Sequence, residues 1–234
     1  QRHPTLSPDG LLVAFVSSRG GVDDIYRMSA IDGRAVLQLT ANPTPDYDPA
    51  FSPDNNWIAF VSERDGNPEI YVMDVNGDNL LRLTDHPAPD YQPAFSPDGR
   101  SLVFVSERRS PPQLFVIDLP IVREDIIDQS AAIAIDIDGG VPPVPIDTTA
   151  SVPRVRPITA DPFAKSSPSW YRASSGGFRI VYAAEVNGPD GPISQVYEVS
   201  GDGSNIRPLT ELTYDLGAPV VRPGSVTVIP FTEE

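Results

Sequence analysis

The chain has 234 residues, of which 27 are Pro, 17 are Gly and none is Cys. That density of Pro and Gly excludes a long-helix protein, and the lack of Cys excludes a disulfide scaffold, a thiolate metal site and a Cys nucleophile. Its formal charge of −15 repels nucleic acid and anionic lipid, and no apolar run approaches the roughly 18 residues of a membrane helix.

Taken in chain order, the predicted elements repeat. Residues 4–40, PTLSPDGLLVAFVSSRGGVDDIYRMSAIDGRAVLQLT, are echoed by PAFSPDNNWIAFVSERDGNPEIYVMDVNGDNLLRLT at 49–84. A third copy starts at 93–119, a fourth runs over 168–210, and PVVRPGSVTVIPF at 219–231 opens a fifth. The Thr that ends a copy (Thr40, Thr84, Thr159, Thr210) stands nine residues before the Pro that opens the next (Pro49, Pro93, Pro168, Pro219). That Pro precedes a central aromatic by 22 residues in the first three copies, at Tyr26, Tyr71 and Phe115. In the fourth the count to Tyr197 is 29, an insertion of seven.

Within the second copy, residues 49–52 read as a short first strand and Pro53-Asp54-Asn55-Asn56 as a tight turn. Trp57 to Ser62 is an apolar run of β-formers, long enough for a strand buried on both faces. Glu69 to Val75 alternates and runs into Asn76-Gly77, a hairpin signal, and Leu80 to Thr84 is the fourth strand. Four antiparallel strands repeating every 44–45 residues match the blade of a β-propeller. One such blade cannot bury both of its faces, so blades must pack on their neighbours. The expected fold is therefore all-β: four complete blades, at about 4–48, 49–92, 93–167 and 168–218, plus a partial one over 219–231, in one domain.

The pattern FSPDGxxxxFVSER…IYVMDxxGxxxxxLT resembles the WD40-like propeller repeats of the TolB type, also called PD40 repeats. The resemblance covers about 190 residues. It breaks in the fourth copy, where Trp170 is followed by Tyr171-Arg172-Ala173-Ser174 in place of Ser-Pro-Asp-Gly, and in the fifth, which stops after two strands. It implies a five- or six-bladed ring, of which the unfinished last blade would be completed by a partner chain or by sequence beyond residues 1–234. Because the chain begins at Gln1 without a leader, any targeting segment is expected to have been removed or to lie outside these residues.

Residues 119–157 interrupt the third copy between its third and fourth strands. In them, Ala132 to Ile137 alternates like a strand, Asp136–Gly139 imitates the turn at Asp74–Gly77, and the Pro-rich stretch from Val141 to Pro157 is expected to stay out of any central ladder. The loops between blades share one face of a propeller with those joining second and third strands. Candidate partner-binding residues on that face are Asp46, Tyr47, Asp48, Arg64, Asp65, Asp90, Tyr91, Gln92, Arg108 and Arg109, since charged and aromatic side chains on a rigid ring make a binding surface. The same residues fit another role, with the Asp side chains fixing turns and the Arg side chains pairing with them.

Catalytic signals are thin. His3 and His86 each lack a second His at ligand spacing and read as solvated loop residues, and no G-x-S-x-G, S-x-x-K or H-E-x-x-H occurs. No cofactor is expected. Calcium is the one ion that the carboxylates suggest, at Asp74–Asn79, but that stretch lacks the Gly and the bidentate Glu of a calcium loop and reads better as a hairpin turn. The expected function is a non-catalytic interaction scaffold, and the family resemblance implies a periplasmic or extracellular place and a protein partner, with a glycan as the alternative. No nucleic acid and no membrane insertion are expected. The competing readings are a carbohydrate-active or peptide-processing enzyme with its site at the ring axis, and a structural subunit of a larger assembly.

Overall fold

The structure, a computed structural model, describes residues 2–120, 146, 155–174, 176–188, 191–212 and 226–228. Every regular element among them is a strand. The first sheet holds β1 (Arg2–Leu6), β2 (Leu12–Ser17), β3 (Asp24–Ser29) and β4 (Leu37–Gln38), hydrogen-bonded in that order. The second repeats this with β5 (Asp46–Phe51), β6 (Trp57–Ser62), β7 (Glu69–Asp74) and β8 (Leu81–Arg82). The third has β9 (Asp90–Phe95), β10 (Ser101–Ser106), β11 (Gln113–Asp118) and β12 (Val155–Pro157). The fourth has β13 (Lys165–Arg172), β14 (Phe178–Gly188), β15 (Gly191–Ser200) and β16 (Arg207–Pro208). All pairings are antiparallel, and β14 and β15 are the longest strands because the seven extra residues of the fourth copy extend their hairpin.

A two-stranded sheet follows, β17 (Thr210–Leu212) with β18 (Val226–Val228). β18 falls in the partial fifth copy, but its partner precedes Pro219; residues 213–225 and 229–234 lie outside the described residues. Most of the interruption at 119–157, including the strand-like Ala132–Ile137 and the turn at Asp136–Gly139, lies outside them too. Its last three residues are not excursion but β12, the outer strand of the third sheet. Pro157 is accommodated there because an outer strand has one unpaired side, where a missing N–H costs nothing.

The same local devices recur in each sheet. The Ser of the Ser-Pro-Asp turn accepts a backbone N–H from the start of the next strand: Leu12 to Ser7 at 2.9 Å, Trp57 to Ser52 at 2.9 Å and Ser101 to Ser96 at 3.0 Å. Its hydroxyl donates to the turn's Asp, as from Ser96 to Asp98 at 2.6 Å. At the other end, each closing Thr accepts the N–H of the second residue of the third strand or its equivalent: Ile25 to Thr40 at 2.9 Å, Ile70 to Thr84 at 2.8 Å, Leu114 to Thr159 at 2.9 Å and Val196 to Thr210 at 3.1 Å. The Thr is thus held at a constant place by a hydrogen bond from main chain to its hydroxyl that the outer strand, two or three residues long, is too short to make for itself.

The sheets pack face to face. Ala14, Val16 and Ile25 of the first meet Phe51, Ile58, Phe60 and Met73 of the second. Ala59, Val61, Ile70 and Val72 of the second meet Phe95, Leu102, Phe104 and Ile117 of the third, with Ile146 buried alongside. Val103, Val105, Leu114 and Val116 of the third meet Ile180, Tyr182 and Val199 of the fourth. One ring pair recurs across the second and third strands: Phe15–Tyr26, Phe60–Tyr71 and Tyr182–Tyr197 at 5.9 Å between centroids, and Phe104–Phe115 at 6.1 Å. Burial of both faces of a sheet explains why the second strands read as continuous apolar runs. The first strands β1, β5, β9 and β13 contact one another in sequence, which puts them at the axis of a propeller.

Candidate functional site

The loop face contains the expected residues, but it divides them. Asp46 and Asp90 have no exposed surface. They cannot touch a partner, and this corrects the expectation for both. Each is the buried half of an ion pair, Arg64 Nη2 to Asp46 at 3.2 Å and Arg108 Nη2 to Asp90 at 2.6 Å. Arg64 and Arg108 are turned inward as well. The Arg64 guanidinium lies over Tyr71 at 4.8 Å and Phe60 at 5.7 Å, and that of Arg108 over Phe115 at 5.6 Å and Phe104 at 5.8 Å. Arg19 does the same over Tyr26 and Phe15, so in the first three sheets the Arg after the second strand is a lid on the ring pair. In the fourth sheet the cation moves: Lys165, at the position of Asp46 and Asp90, is buried, pairs with Asp161 and donates to the Phe163 carbonyl at 2.6 Å.

Asp65 and Arg109 are exposed on this face, and Tyr47 and Tyr91 are half-buried, packed against the cores between sheets. The Tyr47 hydroxyl donates to Glu63 at 3.1 Å, and Tyr91 donates to Glu107 in the equivalent place. Burial pushes both phenols up, and the facing carboxylates push the same way. Asp65 is exposed, accepts from the Tyr71 hydroxyl and stands 3.6 Å from Arg82. His86 is a turn residue, its Nδ1 accepting the Ala88 N–H at 3.0 Å.

Asp48 and Gln92 belong to a different arrangement, which also takes in His3, expected to be a solvated loop residue, and Ser167, to which the sequence assigned no role. His3, Asp48, Gln92 and Ser167 each precede an opening Pro, and each sits in the left-handed region, at φ of 48°, 53°, 55° and 50°. For non-glycine residues this conformation is uncommon and persists only where surrounding contacts hold it. Each lies in an inner strand where the ladder with the second strand shifts register. The four are linked from sheet to sheet. His3 Nδ1 is 2.7 Å from the Asp48 carboxylate, which also accepts the Gln92 backbone N–H; Gln92 Oε1 accepts the Ser167 N–H at 2.7 Å. A polar relay therefore runs around the axis through three consecutive junctions. The sequence signal was the constant place of these residues before Pro; their differing side chains hid it.

Burial raises the Asp48 carboxyl above its ordinary 3.8, against the lowering effect of His3 and the Gln92 N–H. Burial likewise raises Asp24 and Asp90. A carboxyl whose folded value is raised is penalised for being ionised, fully so above that value, and the penalty lifts as pH falls through it. Glu198 runs the other way: burial would raise it, but Tyr171, Arg207 and Arg179 outweigh that and hold it below 4.5. Its contribution is lost as pH falls through the lowered value. Melting measured from neutral pH downward is expected to show Tm first rising, in the window above 3.8, then falling. Asp48→Asn, which keeps the acceptor for Gln92, is expected to reduce the rise; an unchanged rise would clear Asp48 of any part in it.

Asp74 accepts N–H groups from Asn76 at 2.8 Å and Asp78 at 3.0 Å and the Asn79 amide at 2.7 Å, so its oxygens staple a hairpin turn. Among the described residues no cluster of three His, Cys, Asp or Glu could hold a metal ion.

Four-stranded sheets side by side, with their first strands at a common axis, define a β-propeller array. The TolB beta propeller domain family matches this chain over residues 1–80 and 49–125, and the chain belongs to that family. Among solved structures, it is similar to a protein assigned as TolB from Agrobacterium tumefaciens, at 22% identity and a TM-score of 0.61, over 89% of this chain and 64% of that one. TolB from Acinetobacter baumannii gives 21% and 0.60, over 89% of this chain and 43% of that one. The chain therefore spans less than two thirds of the length of either. The tricorn protease, at 17% identity and a TM-score of 0.62, is matched over 91% of this chain and 23% of its own. Comparison with curated protein sequences gives no match.

Proposed function

We propose that this chain is a non-catalytic interaction scaffold of the cell envelope or extracellular space, binding a protein partner through its loop face. The observation that carries the reading is the division of labour on that face. Buried Asp–Arg pairs and stacked rings fix the loops, while Asp65 and Arg109 are exposed on this rigid base with the half-buried Tyr47 and Tyr91 beside them. Tyr and Arg are the residues most often found as interface anchors, and little ordering entropy is lost when the loops are already held. Membership of the TolB beta propeller family supports the same reading.

A photo-crosslinker placed at Arg109, on the loop face, and at Ile31, in an exposed turn on the opposite face, tests this in envelope extract. The expected result is a discrete protein adduct from position 109 and none from 31. Equal labelling from both positions, or none from 109, would overturn it. A second reading, an enzyme with its site at the axis, is favoured by the 2.7 Å contact of His3 with Asp48. It requires peptide or glycan turnover that His3→Ala abolishes.

A further inference from the structure

The fourth sheet breaks the repeat at its first turn, and the break opens a groove. In the first three sheets Ser7, Ser52 and Ser96, each with its Asp two residues on, fill that turn with their own hydrogen bonds. In the fourth, Tyr171 takes the place of the Ser and donates to Glu198 instead, and the turn closes through Gly176 and Gly177, with the Ala173 N–H donating to the Gly177 carbonyl at 3.2 Å. Neither Gly has anything within 4 Å of where a Cβ would stand. The space that results, about 410 Å³, lies between the third and fourth sheets on the face opposite the partner loops. That volume is within the range of small-ligand sites, roughly 300–1,000 Å³.

Its chemistry is specific. Trp170 stands where the second and third sheets have Phe51 and Phe95, so the indole adds an N–H that the packing does not need. That Nε1 is itself buried and without a partner, so the indole offers the groove its ring. Arg156 from β12 and Arg179 from β14 line the same groove. Each guanidinium engages one terminal nitrogen, Arg156 Nη2 with the Gly201 carbonyl at 3.0 Å and Arg179 Nη1 with Glu198 at 3.1 Å. A guanidinium has five N–H donors in a planar fork, so each keeps donors for an anion. Ser200 lines the groove and accepts from Asn205 at 3.2 Å, which leaves its own hydrogen to give.

The geometry points to this groove as a binding site for a sugar acid: a carboxylate held by Arg156 and Arg179, a ring with one apolar face set against Trp170, and a ring oxygen or hydroxyl taken by the Ser200 hydroxyl. Guanidinium forks match carboxylates bidentately, and an aromatic ring suits a ligand that is apolar on one side and wet on the other. One carboxylate, Asp202, lines the groove beside the two guanidiniums, and Glu198 pairs with Arg179 beneath it, so an anion is drawn by the free guanidinium donors and not by an excess of positive charge. The site does not depend on the scaffold reading, since it is on the other face.

The test uses the two indole N–H signals of the ¹⁵N-labelled chain. Glucuronate titrated to about 10 mM, which detects dissociation constants in the millimolar range, is expected to move the Trp170 signal and leave that of Trp57 in place. Glucose and acetate at the same concentration are expected to move neither. Arg156→Gln and Arg179→Gln are each expected to weaken the response about tenfold or more. Trp170→Phe restores the residue of the neighbouring sheets and so preserves the fold; followed at the Gly176 and Gly201 amides, it is expected to weaken binding as well. A still Trp170 signal, a shift of equal size with acetate or glucose, or a shift only with a glutamate-containing peptide would overturn the assignment.

Discussion

Arg108→Met is expected to cost about 3–5 kcal/mol, because it strands the carboxylate of Asp90 in a place with no exposed surface. The pair Arg108–Asp90 is closed at 2.6 Å and the Arg side chain is 15% exposed, so water cannot take over. Burial already raises the Asp90 carboxyl, with Ser106 and Arg108 opposing it, which marks an acid held against a desolvation cost. The double variant with Asp90→Asn removes both charges and is expected to recover most of the loss, as replacing a whole buried pair costs little. Arg64→Met is expected to cost less, since Asp46 keeps a 2.5 Å hydrogen bond from Asn42. Urea unfolding of the four proteins checks this order. Equal, small losses for both single variants would mean that the pairs are worth no more than surface ones.

The second large effect is expected at Gly77. Its φ is +93°, and a Cβ there would stand 2.9 Å from the Leu39 carbonyl oxygen of the preceding sheet. Two costs therefore add in Gly77→Ala, a left-handed backbone without glycine and a collision with another sheet's main chain, together about 2–4 kcal/mol. Gly66→Ala separates them. Its φ is +107° but open space surrounds its Cβ position, so only the backbone cost, about 1 kcal/mol, is expected. Equal losses at the two positions would mean that the sheets are not seated as closely as the structure places them.

Much of the architecture was legible because each repeated residue has a repeated physical task. The spacing from opening Pro to central aromatic follows from the ring pair, since Tyr26, Tyr71 and Phe115 must face Phe15, Phe60 and Phe104 across a ladder of fixed register. The nine residues from closing Thr to opening Pro follow from its hydrogen bond at one end and the inner strand at the other. What the sequence hid was direction. Asp46 and Asp90 look like loop acids, yet the Asp46 N–H donates to the Asp23 carbonyl at 2.8 Å and the Asp90 N–H to that of Pro68 at 2.9 Å, which locks both into the junction with the preceding sheet. His3 passed for a solvated terminal residue because its contact with Asp48 is between sheets, and no local pattern reports that. Asp65 and Arg109 stand exposed in their loops, whereas Tyr47 and Tyr91 lie in the inner strands β5 and β9 and pack half-buried between sheets, a contact that no local pattern reports.

The central claim is that neighbouring sheets are joined by specific main-chain bonds near the axis and not by apolar contact alone. Native-state hydrogen exchange measures this directly at the amides of Asp46, Asp90 and Lys165, which donate to Asp23, Pro68 and Pro112, and at Ser167, which donates to Gln92. These four are expected to exchange as slowly as the core strand amides, through cooperative unfolding. Exchange at the rate of exposed loops, with β6 and β10 still protected, would contradict the account.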